Sequence, residues 1–404
     1  MDEAELKKHI AAMTDDPASV VPLADWLQQQ QHPWGELIAL QSRGMTAEAN
    51  VILDEIKFEL CPPLEQYGTT ATWKDGFIAR AQIASDDNWD HLLTAVKTFL
   101  SLPAAARVDE IVFAPIVQHF RTWRDWDSSR AHIVEPWAGL AALASLIAAR
   151  ITRVGFGPWP AIASGGYTRM PAYSEISEAF PKLTSLELVG FAPAAPGVLA
   201  LPELRSLAVR FAVATDNDLQ ALAKLDCPQL ERLEIGTGGS VSACVDEVYD
   251  PEEWNEEDED ALRYPSTFSA EDLERMIAWG NPVTPEIKPP GFTRLLEGSY
   301  PKLQHLAIVS SAMSARMIEP VFESALLGQL RTLQLSCGMF DDKDIAAITT
   351  YKAKLAHLER VDLSGNKFSE TGKARLLDAI PNAVFGDHDT NALSFFFRYV
   401  ATVE

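Results

Sequence analysis

The chain has 404 residues and carries 57 acidic against 34 basic side chains, a formal net charge of −23 at pH 7. That excess repels phosphate backbones and argues against nucleic acid as a ligand, while it suits a partner protein with a basic surface. Apolar residues make up 47% of the sequence, enough for a continuous core.

The four cysteines, Cys61, Cys227, Cys244 and Cys337, are scattered and form no C-x-x-C pair. This spacing suits neither a disulfide framework nor a zinc ribbon, and it fits a reducing compartment. The opening MDEAELKKHI has no apolar signal-peptide core, and no stretch is long and apolar enough to span a bilayer. The expected location is therefore cytoplasmic, with no membrane contact.

Residues 1–60 have helical periodicity and form the first expected domain, a helical N-terminal cap. The segment MTDDPASVVPLADWLQQQQHPWGELIALQ resembles a small bacterial repeat-companion domain found ahead of leucine-rich repeats. The matching residues are Asp15, Asp16, Ala24, Asp25, Trp26, Leu27, Pro33, Gly35, Glu36, Leu37, Ile38, Leu40 and Gln41. His32 departs from the family's usual aspartate. The resemblance implies co-occurrence with repeats and no particular activity. An array of stacked repeats needs a cover at its open end. Trp26, Leu27, Leu37, Ile38 and Leu40 are expected to face the first repeat.

From residue 71 to about 390 the chain reads as a second domain built on one unit, apolar-x-x-apolar-x-apolar. Its clearest copies are Leu183/Leu186/Leu188, Leu204/Leu207/Val209, Leu230/Leu233/Ile235, Leu303/Leu306/Ile308, Leu330/Leu333/Leu335 and Leu358/Val361/Leu363. Weaker copies are Ile78/Ala81/Ile83, Val108/Ile111/Phe113, Ile151/Val154/Phe156 and Ile380/Ala383/Phe385. Alternate strand residues share a face, so the last two apolar positions of each copy point inward together. Helical stretches such as DNWDHLLTAVKTFLSL and DNDLQALAKL lie between copies, with Asp218 and Asp344 near helix starts. One unit cannot bury its own apolar face, but stacked units bury each other's.

Well-formed copies stand 21 to 28 residues apart. This resembles the leucine-rich-repeat superfamily in its helix-bearing, ribonuclease-inhibitor-like form, regularly over 180–386 and less so over 71–179. The resemblance implies an α/β solenoid with a parallel sheet on its concave face and helices on its convex face. In LERVDLSGNKFSETG, Asn366 stands where the family asparagine bonds loop backbone. Phe191, Ala212, Gly238, Ser311 and Gly338 replace it elsewhere. Residues 391–404 read as a tail or cap.

The period breaks twice. FRTWRDWDSSR interleaves Trp123 and Trp126 with Arg121 and Arg124, and Trp159 follows, residue types that are enriched at binding hot spots. The other reading is a helix packing its tryptophans on the core. Leu230 and Leu303 then stand 73 residues apart, with an insertion at about 239–299. Within it, residues 246–260 hold ten carboxylates around Tyr249 and Trp254. This strip is either a docking segment or a solvated loop, and it lacks calcium-loop spacing.

The register also predicts which side chains share the outward strand face. One row is Gln82, Val112, Gly155, Glu187, Ala208, Glu234, Ala307, Gln334, Asp362 and Val384. Its neighbour is Arg80, Glu110, Arg153, Ser185, Ser206, Arg232, His305, Thr332, Arg360 and Asn382. The candidate partner-binding residues are Arg121, Trp123, Arg124, Trp126, Trp159, Glu187, Arg210, Glu234, Tyr249, Trp254, His305, Gln334 and Asp362. No phosphate loop, nucleophile elbow or zinc-spaced histidine pair occurs, and Cys337 has no base beside it in sequence. The expected function is a non-catalytic protein-binding module without cofactor or metal. An accessory or inhibitory subunit of a bacterial enzyme system, or an enzyme in its own right, are the alternatives.

Overall fold

The computed structural model describes residues 2–14, 16–62, 70–83, 89–113, 137, 139–148, 151–157, 170–190, 193, 196–211, 216–237, 289–310, 317–338 and 340–386. Their packing divides the chain into two units, the first comprising residues up to 118 with 139–156 and the second the remainder. The candidates Arg121, Trp123, Arg124, Trp126, Trp159, Tyr249 and Trp254 lie outside the described residues, as do Cys244, most of the acidic insertion and the tail.

The first unit opens with four helices, α1 (Glu3–Ala11), α2 (Val21–Gln29), α3 (Pro33–Ser42) and α4 (Thr46–Leu60). Proline at the first position of α3 has no amide to leave unpaired, and His32 caps that helix by accepting from the Trp34 N–H at 3.2 Å. A hairpin follows, β1 (Thr70–Lys74) and β2 (Phe77–Ile83), then α5 (Trp89–Ser101), β3 (Glu110–Phe113), α6 (Leu140–Ile147) and β4 (Arg153–Phe156). β1 pairs antiparallel with β2, whereas β2, β3 and β4 pair in parallel. Asp75 and Gly76 close the hairpin at φ 52° and 80°, the two left-handed positions that an Asp-Gly turn favours.

The helices meet the sheet through Trp34, not through Trp26. Trp34 is fully buried, donates its indole N–H to the Gly76 carbonyl at 2.6 Å and meets Phe77 edge-on at 5.5 Å. The Gln41 side-chain Oε1 accepts the Gly76 N–H at 2.6 Å, so α3 holds both backbone groups of one residue. Trp26 is half-exposed and stacks on His9 of α1 at 5.0 Å. The expectation that it faces the repeats is corrected: its position on α2 turns it toward α1. Leu27, Leu37 and Ile38 are buried, and Leu40 is half-buried.

The second unit contains α7 (Tyr173–Ala179), β5 (Ser185–Gly190), β6 (Ser206–Phe211), α8 (Asp216–Leu222), β7 (Arg232–Thr237), α9 (Pro289–Leu296), β8 (His305–Ser310), α10 (Ile318–Glu323), β9 (Thr332–Ser336), α11 (Ile345–Thr350), α12 (Lys352–Leu355), β10 (Arg360–Asp362), α13 (Glu370–Ala379) and β11 (Ala383–Val384). β5 to β11 form parallel neighbours in chain order. β5 to β8 are each entered through a β-turn in which the first apolar residue donates back three positions, Leu183 to Phe180, Leu204 to Leu201, Leu230 to Cys227 and Leu303 to Tyr300. Pro181, Pro202, Pro228 and Pro301 occupy the second turn position, where their fixed φ fits and no N–H is needed. The chain is therefore a mixed α/β repeat arrangement with a mostly parallel sheet.

The repeats join at one corner by a recurring bond. The Thr184 carbonyl accepts from Arg205 and Ser206, the Arg205 carbonyl from Glu231 and Arg232, and the Glu231 carbonyl from Gln304 and His305. Leu186, Leu207, Leu233, Leu306 and Leu333 stack as one buried row, as do Leu188, Val209, Ile235, Ile308 and Leu335. Asn366 donates to both the Leu335 and Leu363 carbonyls at 2.8 Å, fastening its loop to two successive strands.

Two smaller expectations, on Asp344 and Asn382, are corrected. Asp344 stands at the start of α11 but makes no capping bond there; its carboxylate accepts from the Asp341 N–H instead. Cys337 is half-exposed at φ 60°, a left-handed residue that turns the chain out of β9 toward the Ser364 carbonyl. Asn382 leaves the outward row, because its amide bonds the Leu355 and Leu358 carbonyls. Among the described residues, no helix is long and apolar enough to cross a membrane.

Candidate interaction face

The outward face of β5–β10 is arranged by the strand register. Glu187, Ala208, Glu234, Ala307, Gln334 and Asp362 are successive partners across the sheet, in the row the sequence predicts. Ser185, Ser206, Arg232, His305, Thr332 and Arg360 form the neighbouring row. A third row, Val189, Arg210, Gly236, Val309 and Ser336, lies two residues further along the strands. The leucines beneath are buried while these residues alternate with them, so the face is polar over an apolar floor.

Arg210 is the centre of this face. Its Nε and Nη2 donate to Glu234 Oε1 at 2.9 and 2.7 Å, and its Nη1 donates to Glu187 Oε1. One guanidinium thus bridges carboxylates on both flanking strands. Burial alone would lower the Arg210 pKa, but the two glutamates outweigh it and raise the pKa, so the charge is firmly held. Gly236 gives it room: a Cβ there would sit 3.0 Å from Arg210 Cγ. Arg210→Met leaves two half-exposed carboxylates facing each other. Because all three side chains keep about a third of their exposure, the expected loss is about 1–2 kcal/mol, less than for a fully buried pair. Urea denaturation in low and high salt checks this, since the deficit should shrink as salt screens the glutamates.

The remaining candidates are tied locally. His305 Nδ1 lies 2.8 Å from Thr332 Oγ1; burial first, then the neighbouring Arg232 and Arg331, lower its pKa. Gln334 donates its amide to Ser336 Oγ at 2.8 Å. Asp362 accepts from the Ser364 N–H at 3.0 Å and pairs with Arg360 at 2.6 Å. Burial alone would raise the Asp362 pKa, but Ser364 and Arg360 outweigh it and lower the pKa. A carboxylate held below its unfolded pKa stabilises the fold above about pH 4 and loses that contribution as pH falls through the lowered value. Asp362→Asn is therefore expected to cost about 1–2 kcal/mol at pH 7. Its disadvantage should fade as the pH falls below about 4 and through the lowered Asp362 pKa, as measured by urea titrations at several pH values.

The structure brings Glu187, Arg210 and Glu234 into contact and leaves His305, Gln334 and Asp362 separate along the same sheet. One grouping stood in a row the register predicts but was not among the candidates. In the first unit, Glu110 sits between Arg80 and Arg153, each 2.6 Å away. The available signal was opposite charge at the same offset in consecutive repeats. The Cys227 and Cys337 thiols are each pushed up to about 11, mainly by burial, so neither is a thiolate at neutral pH. Among the described residues, no group of three or more His, Cys, Asp and Glu is placed to hold a metal ion.

No family model matches the sequence, and no curated protein matches it. Among solved structures, a Bacteroides fragilis protein is similar over 76% of this chain and 74% of its own, at 17% identity and a TM-score of 0.50. That likeness concerns the fold alone. A leucine-rich-repeat protein of Leptospira interrogans covers 70% of this chain and 91% of its own, at 10% identity and a TM-score of 0.13, too low a superposition to bear on the fold.

Proposed function

We propose that the chain is a leucine-rich-repeat-type interaction module that binds a partner protein across the outward face of β5–β10. The observation that supports this reading most is the unbroken residue-for-residue register across six strands. It sets three rows of side chains, charged, polar and small, most of them half-buried or exposed, over an apolar floor. Such a surface offers many fixed contact points and suits an extended protein interface. The chain's large negative charge favours a partner with a basic surface and steers its approach.

The test uses the whole chain with a bulky residue in the row of Ser185, Ser206 and Arg232. Crosslinked capture from native lysate with the unaltered chain is expected to recover one partner protein. Ser206→Trp should abolish that capture, and Leu377→Trp, at an exposed position on α13, should not. Equal recovery from both variants, or turnover by the isolated chain, overturns the reading.

A further inference from the structure

The row Glu187, Ala208, Glu234, Ala307, Gln334 alternates long hydrogen-bond acceptors with single methyl groups. Adjacent strands run about 4.8 Å apart, so each alanine leaves a gap about 10 Å wide between the side chains flanking it. The first gap, over Ala208, is where the Arg210 guanidinium bridges Glu187 and Glu234. The second gap, over Ala307, has the same frame. Glu234 bounds it on β7, Gln334 bounds it on β9, and Val309 stands on β8 where Arg210 stands on β6.

The acceptors of the second gap are not used up. Glu234 takes both Arg210 contacts on Oε1, and no donor reaches its Oε2 among the described residues. Gln334 spends its amide on Ser336, and no donor reaches its carbonyl oxygen among the described residues. Val309 brings only methyl groups. The charges are also unbalanced: Glu187 and Glu234 share one cation, a net −1 that a second cation would cancel. Arg232 and His305, with its lowered pKa, lie in the row on the other side of the gap. An incoming cation is therefore steered to the Val309 side, where the valine methyls offer an apolar support for its stem.

We propose that the gap over Ala307 receives an arginine side chain of the partner protein, its guanidinium bridging Glu234 and Gln334 as Arg210 bridges Glu187 and Glu234. This rests on the protein-binding reading above. Arginine fits better than lysine because two acceptors on strands two apart call for a planar fork with several donors.

The chain itself supplies the blocking variant. Val309→Arg places a resident guanidinium in the second gap, as Arg210 does in the first. A fluorescein-labelled Gly-Arg-Gly-Arg-Gly peptide, followed by anisotropy, is the probe, with the lysine counterpart beside it. The unaltered chain is expected to bind the arginine peptide more tightly than the lysine peptide. Val309→Arg should weaken arginine-peptide binding about ten-fold or more, on the scale of a charge-assisted pair. Val198→Arg, which changes the net charge equally at an exposed position, should stay within about two-fold. Ala307→Leu, which fills the gap without charge, should weaken binding as well and covers the case of Val309→Arg failing to fold. No binding by the unaltered chain, equal binding of the two peptides, or equal behaviour of Val309→Arg and Val198→Arg overturns the assignment. Those failures leave the broader reading standing as long as Ser206→Trp still abolishes partner capture.

Discussion

Trp34→Ala is expected to lower the stability of the first unit by about 3–5 kcal/mol, the range for removing a fully buried large aromatic. Three losses combine. The cavity left beside Phe77 is large, the Gly76 carbonyl loses its indole donor, and α3 is left with the Gln41 hydrogen bond and the packing of Ile38 on Gly76 as ties to the hairpin. Trp34→Phe separates the terms: it restores much of the volume and should recover most of the stability. The remaining deficit, about 1–3 kcal/mol, measures the unsatisfied Gly76 carbonyl. Urea denaturation of both variants, with amide exchange at Gly76, reads the two effects. A Trp34→Ala protein as stable as the unaltered chain would refute the anchoring role.

The second large effect is expected next door. A Cβ on Gly35 would lie 2.7 Å from the Ala24 carbonyl oxygen, 2.7 Å from the Gln28 nitrogen and 2.8 Å from Leu27 Cβ. Two of those atoms are backbone and cannot swing aside, so α3 must back away from α2. Gly35→Ala is expected to cost about 1–3 kcal/mol or more through overpacking, even though alanine is the better helix former. Gly44→Ala is the contrasting case. Nothing lies within 4 Å there, and only its φ of 72° is strained, so its loss should be about 1–2 kcal/mol. Thermal melts of the two variants should rank them in that order.

These two residues show where sequence reasoning succeeded and where it stopped. Gly35 was legible as part of a short motif, but the reason for it is a helix crossing that no local pattern reveals. Trp34 fell at the motif's variable position, while Trp26 at its fixed position drew attention and proved to be a surface ring on His9. Apolar periodicity says that a tryptophan packs, not which of two neighbouring tryptophans reaches the next element. The strand rows were legible because parallel pairing repeats one register. The prolines two positions before the first leucine sit at turns, since a fixed φ is a local property. The Arg210 bridge was half legible: offsets place Glu187 and Glu234 two strands apart, but the choice of Arg210 to span them depends on the space Gly236 leaves. Asn382 misled because an asparagine in an outward position can still turn back to bond backbone.

β7 and β8 pair residue for residue, Arg232 with His305 through Thr237 with Ser310, although their repeats stand 73 residues apart in sequence. Closing a loop of that length in place of one of 21 to 28 residues costs only about 1 kcal/mol in chain entropy, because the penalty grows with the logarithm of length. The junction after β7 is accordingly a natural port for cargo. A folded reporter spliced there, with its ends close together, should leave the outward rows of both strands in register.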